Sequence, residues 1–250
     1  PFLFQLRTDY VLELPLISAI TFYMFHLGRW SDKLIGGKWI QLIIATFACA
    51  FSLLIKQSSL LIIIPSLLFI FILSFKRDKK FRLQFLSLIL INFFAIIPWF
   101  YHNWIMILSG TYRAVFESAV IEGDPSVLGF KSIFWYFPYL GNHFGNIVFF
   151  TGLSGLLFTF LTHLRPFIDS SNLVYIFNKH NYKWIWIYFN LITCWTFTTF
   201  IPNKDERYIA CTIPLIILLL ALGFSKWNDW LGTYFKFKYY GLLLIPPVSF

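Results

Sequence analysis

Apolar residues run along this chain in long unbroken blocks, and the polar residues gather in the short breaks between them. The blocks cover Val11 to Leu27, Trp39 to Ile55, Ser58 to Phe75, Leu83 to Trp99, Asn146 to Leu164, Trp184 to Ile201 and Tyr208 to Phe224, and a further one starts at Gly241. Their length, roughly 17 to 22 residues, is what a helix needs to cross about 30 Å of hydrocarbon. A soluble core helix would be shorter and would keep a polar face. Continuous apolar runs also lack the two-residue alternation of a barrel strand, and hydrocarbon offers no partner to an open backbone. The pattern therefore predicts an all-α, polytopic transmembrane helix bundle, with about seven complete spans and a truncated eighth. Pro15, Pro65 and Pro214 fall inside the blocks and are expected to kink them.

Between Trp99 and Asn146 no block is long enough to span. Residues 100–145 mix aromatics with isolated charges, which predicts short amphipathic helices lying in the interface. No repeat or soluble insert interrupts the rest, so residues 1–250 are expected to form one transmembrane domain. The chain opens at Pro1 without an initiator Met and stops inside an apolar block at Phe250, as expected of a fragment lacking N-terminal spans.

Composition agrees with the pattern: 58% of residues are hydrophobic and only 12% charged. The net charge of +9 is distributed by topology, in short clusters and not as a stripe fit for nucleic acid. Arg29, Lys33 and Lys38, then Lys76, Arg77, Lys79, Lys80 and Arg82, then Arg165, Lys179 and Lys183, then Lys226, Lys236 and Lys238 occupy every second break. The basic side is predicted to be cytoplasmic. The opposite, outer side then carries Arg7, Asp9 and Glu13, Lys56, the long segment, and Asn203 to Arg207. Cys49, Cys194 and Cys211 lie within apolar blocks at no metal-ligand spacing, which predicts neither disulfide nor zinc.

The outer breaks hold the candidate chemistry. Pro202-Asn203-Lys204-Asp205-Glu206-Arg207-Tyr208 places a point charge and a planar guanidinium together, a combination suited to phosphate, although the same charges also suit an interfacial salt-bridge knot. Lys56, in a narrow polar turn, either reaches phosphate or snorkels to the interface. Asp9 and Glu13 share one helix face at i, i+4 and suit a general base or a divalent metal ion, or simply a solvated helix start. His102 and Arg113 are candidate sugar or acceptor contacts. Trp104, Trp135 and Tyr136 suit either ring stacking or interface anchoring.

Four stretches in order, Asp9-Tyr10-Val11-Leu12-Glu13-Leu14-Pro15-Leu16, Leu53-Leu54-Ile55-Lys56, Ile97-Pro98-Trp99-Phe100-Tyr101-His102-Asn103-Trp104 and Lys204-Asp205-Glu206-Arg207-Tyr208-Ile209, resemble glycosyltransferase family 39 of the GT-C superfamily. This is the lineage of protein mannosyltransferases and aminoarabinose transferases. The resemblance implies a polyprenyl-phosphate sugar donor, transfer at the extracytoplasmic face to a lipid, glycan or protein acceptor, and a multi-pass protein of the bacterial plasma membrane. It implies Glu13 and Asp9 as catalytic candidates, with the family's main acidic residue upstream of Pro1. Lys56, Lys204, Arg207 and Tyr208 would hold the donor phosphate, with membrane lipids as surroundings and no nucleic-acid partner. Asp205 departs from the family pattern. A transporter or flippase of lipid-linked intermediates, or a non-catalytic assembly subunit, is the alternative, the former expected to place ionisable groups at the bilayer midplane.

Overall fold

The computed structural model describes residues 12–32, 38–75, 77–169 and 182–235, and these contain helices and no strand. The helices are α1 (Glu13–Ser31), α2 (Trp39–Ile55), α3 (Leu60–Ser74), α4 (Lys79–Tyr112), α5 (Ser118–Glu122), α6 (Phe130–Phe134), α7 (Tyr136–Phe144), α8 (Asn146–Asp169), α9 (Tyr182–Phe200) and α10 (Ile213–Phe235). Three helical stretches are long and apolar enough to cross a membrane: Gln57–Ser74, Lys79–Glu122 and Glu206–Gly232. Trp39–Ile55 and Asn146–Phe158 are apolar but shorter. Helices α1 and α9 have the length, at 19 residues each, but polar members such as His26, Arg29, Tyr188 and Asn190 dilute their apolar character. The expected block from Gly241, the charges Arg7, Lys33, Lys76, Lys179, Lys236 and Lys238, and the candidate Asp9 lie outside the described residues.

The core is organised by α1. Leu16, Ile20, Tyr23, Leu27 and Trp30 recur at intervals of four and three, so one stripe of this helix is continuously buried. Leu42, Ala45 and Cys49 of α2, Ile62, Phe69 and Ile70 of α3, and Phe85 and Leu88 of α4 close over it in a single apolar cluster. Polar side chains inside this cluster are tied in pairs. The Tyr23 hydroxyl meets Ser66 Oγ at 2.6 Å, and the Trp30 indole donates to Gln84 Oε1 at 3.1 Å. Such pairing is what a buried donor requires, since an unmade hydrogen bond costs about 1–3 kcal/mol. At the C-terminal end of α1, Arg77 donates to the Ser31 carbonyl, and Trp30 stacks on Phe81 at 4.4 Å. The Asp78 side chain caps α4 by accepting from Phe81 N–H at 3.0 Å.

Helices α8 and α10 meet differently. A Cβ on Gly155 would collide with the Gly223 backbone, and one on Gly223 would collide with the Gly152 carbonyl. The two backbones thus touch, as small residues allow in membrane helix pairs. The Trp227 indole reinforces the crossing by donating to the Thr151 carbonyl and Ser154 Oγ, each at 3.2 Å.

Helix α4 departs from the expected pattern. The expectation placed a helix end near Trp99, yet the helix passes through Pro98 and runs on via a π-helical stretch, Arg113–Glu117, into α5. Proline removes one backbone donor but does not by itself stop a helix, and Phe100 to Ser109 holds no glycine, no second proline and no Asp, Glu, Lys or Arg. Gly123, with φ of 71°, ends the run in the left-handed conformation that glycine adopts freely. The whole stretch of 44 residues is about 66 Å long at the helical rise. Apart from Ala119, its buried residues are confined to the first part: Phe81, Gln84, Phe85, Leu88 and Asn92.

Candidate functional site

Glu13 opens α1, and Lys56 follows the last turn of α2. Because α1 and α2 are antiparallel neighbours, these ends coincide, and the Lys56 ammonium forms an ion pair with the Glu13 carboxylate. Glu13 is 3% exposed, whereas the lysine side chain is partly open. The start of α10 reaches the same place. Two consecutive 3-10 turns, Glu206–Tyr208 and Ala210–Thr212, lead into it, and the second is wholly buried. That turn is in contact with both α1 and α3. Ile17 of α1 packs on Ala210 and Ile213, with Tyr139 and Phe144 of α7 against them. At the rise of a 3-10 helix, Arg207 lies about 8 Å along the chain from Cys211.

The loop between α9 and α10 is built as a knot. Asp205 accepts from Arg207 N–H at 2.8 Å and from Arg207 Nε at 2.5 Å, and its carboxylate also pairs with the guanidinium terminus. Lys204 takes another course. Its ammonium turns back to the end of α9 and donates to the carbonyls of Thr199 at 2.6 Å, Ile201 at 2.5 Å and Thr198 at 3.4 Å. These are carbonyls that a helix end leaves without intrahelical partners. The residue is 3% exposed, so its charge serves the helix terminus. Burial pushes its pKa below the ordinary lysine value, with the Asp124 carboxylate acting in the opposite sense.

Neighbouring segments hold this loop in place. Lys204 N–H donates to Asp124 at 2.7 Å, Asn203 Nδ2 to the Ala114 carbonyl in the π-helical stretch at 2.8 Å, and Asp205 N–H to Asn203 at 2.7 Å. The Trp135 indole donates to the Lys204 carbonyl at 2.9 Å, and the Tyr136 hydroxyl to the Asp205 carbonyl at 3.4 Å. The Tyr136 phenol is raised above its ordinary pKa by burial first and by the charge of Asp205 second, so it stays a donor. His143 stacks on Tyr139 at 4.1 Å between centroids; burial lowers its pKa, against the pull of Glu206.

Of the sequence candidates, Glu13 and Lys56 are joined directly, and the Lys204–Tyr208 loop approaches them through the Ala210–Thr212 turn. His102 and Arg113 are not brought there. His102 lies exposed on α4 against Tyr101, and Arg113 is exposed with Glu117 at 4.0 Å. Trp104 is exposed on the same helix. Trp135 and Tyr136 clamp the loop through their polar atoms. Cys211 was read only as a member of an apolar block, and sequence gives no signal for its position beside Lys56. Asn203, Asp124 and the hydroxyls of Ser58 and Ser59 carried a weak signal, as polar residues in the breaks. Among the described residues, no three His, Cys, Asp or Glu side chains gather as metal ligands, and Cys49, Cys194 and Cys211 are buried free thiols.

Fold and site together define a helical protein with three helical stretches long and apolar enough to cross a membrane and a largely buried ion pair where three chain segments meet. Comparison with known proteins returns no match to any family model, curated protein or solved structure.

Proposed function

We propose that this chain is the multi-pass core of a GT-C-like membrane glycosyltransferase of the plasma membrane, transferring a sugar from a polyprenyl-phosphate donor to an acceptor at the extracytoplasmic face. The observation that carries the reading is the convergence of Glu13, Lys56 and the segment following Arg207 at one end of the helices. Glu13 and Lys56 belong to two of the four stretches on which the resemblance to glycosyltransferase family 39 rests, and the Ala210–Thr212 turn directly follows a third, Lys204–Ile209. In this reading Lys56 and Arg207 neutralise the donor phosphate, which gains charge as the glycosidic bond breaks. Both cations are held by a carboxylate, Glu13 and Asp205, that the phosphate would replace. Lys204 holds the end of α9 and positions the Arg207 loop, and Tyr208 follows Arg207 in the same 3-10 turn.

An apolar groove of about 620 Å³ between α1 and α2 supports a lipid-linked donor. Its walls include Pro15, Ser18, Ala19, Phe22, Phe47 and Phe51, so it starts near Glu13 and follows the two helices away from it. A transporter reading gains less, because Lys56–Glu13 sits at helix ends, Arg207–Asp205 in the 203–207 loop, and Arg113–Glu117 is exposed near the end of the Lys79–Glu122 stretch.

The test is transfer of radiolabelled sugar from polyprenyl phosphate by membranes containing the full protein. Lys56→Ala and Arg207→Ala are each expected to lower transfer by about 100-fold, the scale of losing one transition-state charge contact. Transfer within twofold of the unaltered protein in both variants would remove the reading.

A further inference from the structure

The turn joining α2 to α3 combines several hydrogen-bond donors with a cation and leaves most of them unused. Lys56 is extended, with φ of −160°; its N–H closes α2 on Ser52, and its carbonyl accepts from Ser59 N–H at 3.1 Å. The helix that follows opens with the 3-10 turn Gln57–Ser59 and continues as α3. The first N–H groups of a helix have no intrahelical acceptor, and among the described residues no backbone carbonyl accepts from Gln57 or Ser58 N–H.

The side chains add to this. The hydroxyls of Ser58 and Ser59 are both buried without a hydrogen-bond partner, and Ser59 is 0% exposed. Ser58 lies near the Cys211 thiol, but not in hydrogen-bond geometry. A serine just before an α-helix commonly caps it, yet Ser59 has helical φ and ψ and makes no cap bond. Nothing in the fold uses these hydroxyls, although each buried one lowers stability. Lys56 immediately precedes this helix start, and its ammonium is paired with Glu13.

We propose that the Lys56–Ser59 turn is an oxyanion site for a single terminal phosphate group. Gln57 and Ser58 N–H and the Ser58 and Ser59 hydroxyls donate to the phosphate oxygens, and Lys56 exchanges the Glu13 carboxylate for the phosphate. Helix α3 points its positive end at the ligand, as at other helix N-termini that bind anions. The half-buried Gln57 and Ser58 form the approach, and Ser59 closes the inner wall. Phosphate as ligand rests on the proposed function; the use of this particular turn does not depend on sugar transfer.

The experiment titrates the purified full chain in detergent with decyl phosphate and with inorganic phosphate, followed by 31P NMR, beside thermal unfolding without ligand. Ser58→Ala/Ser59→Ala is expected to weaken binding by about tenfold, with an unliganded Tm equal to or above that of the unaltered protein. A structural role for the hydroxyls would lower Tm, and that result overturns the proposal. Equal binding by the double variant, with binding lost in Lys56→Gln, overturns the turn as the site but leaves Lys56 as a phosphate ligand. Absence of phosphate binding by the unaltered protein overturns both readings, whereas binding without sugar transfer overturns only the glycosyltransferase. Tighter binding of decyl phosphate than of inorganic phosphate assigns the site to a lipid headgroup; equal binding assigns it to free phosphate.

Discussion

The 56–59 turn and the 203–207 loop are neighbours through the buried Ala210–Thr212 turn, and each presents a lysine and small polar residues between two helices. In the loop, Lys204 donates to three carbonyls, Asn203 bridges to Ala114, Asp205 holds Arg207, and Trp135 and Tyr136 seal the carbonyls. In the turn, Lys56 has one carboxylate partner, and two hydroxyls and two N–H groups have none among the described residues. Where donors and acceptors are matched, the polar groups account for the fold, and a ligand gains a contact only by displacing a partner, as Asp205 would be displaced from Arg207. Where donors are in excess beside a cation, the fold is less stable than its own atoms permit, and an anion is what would restore the balance.

Several substitutions put this contrast at risk. Lys204→Met should have the largest effect, about 3 kcal/mol of stability lost, because three charge-assisted hydrogen bonds at the end of α9 disappear, and only the Thr198 and Thr199 carbonyls keep a second donor, Ile201 N–H and Ser132 Oγ. Chemical unfolding in detergent measures it, and phosphate affinity should stay within about twofold. The reverse result, unchanged stability with phosphate binding lost, would exchange the roles of the two lysines. Glu13→Gln comes next, at about 2 kcal/mol, since Lys56 is left partly buried without its counter-charge. The same variant should bind decyl phosphate more tightly, because no carboxylate competes for the ammonium; weaker binding would mean that Glu13 contacts the ligand itself.

The smallest effect concerns pH. Burial keeps the His143 pKa below its ordinary 6.5, with Glu206 opposing. The unfolded chain therefore takes up a proton at higher pH than the folded chain does. The contribution of His143 to stability is constant above about pH 7 and falls as the pH drops through 6.5. His143→Gln should flatten the Tm profile between pH 7.5 and 5.5 by about 1 °C, and an unchanged profile would show that α7 does not feel this titration.

Residues differ in how well the chain alone predicted them. The bounds Trp39–Ile55 are the same in sequence and structure, because a continuous apolar run flanked by Lys38 and Lys56 leaves a helix no other place to begin or end. The region after Trp99 was read as a separate interfacial segment, and the structure continues the helix to Glu122. Proline and scattered polar residues mark a boundary only when neighbours hold the chain in a new direction, and none do so here before Gly123. Within the site, Glu13 and Lys56 were candidates, but not as partners. Lys204 was a candidate phosphate ligand, while its orientation toward the α9 carbonyls depends on a backbone reversal that spacing does not encode.

Sequence by itself determined the element type: apolar runs long enough to cross hydrocarbon must satisfy their backbone internally, and only helices do so locally. It also determined that charge would collect in the breaks, since burying an unpaired charge is costly. Tertiary structure decided which breaks meet and which donors are used up there. Hydrogen-bond saturation depends on distances between segments 43 or 80 residues apart, as in Lys56 with Glu13 or Lys204 with Asp124. Those distances are set by the packing of α1, α2 and α10 as solid bodies, and no local pattern along the chain carries them.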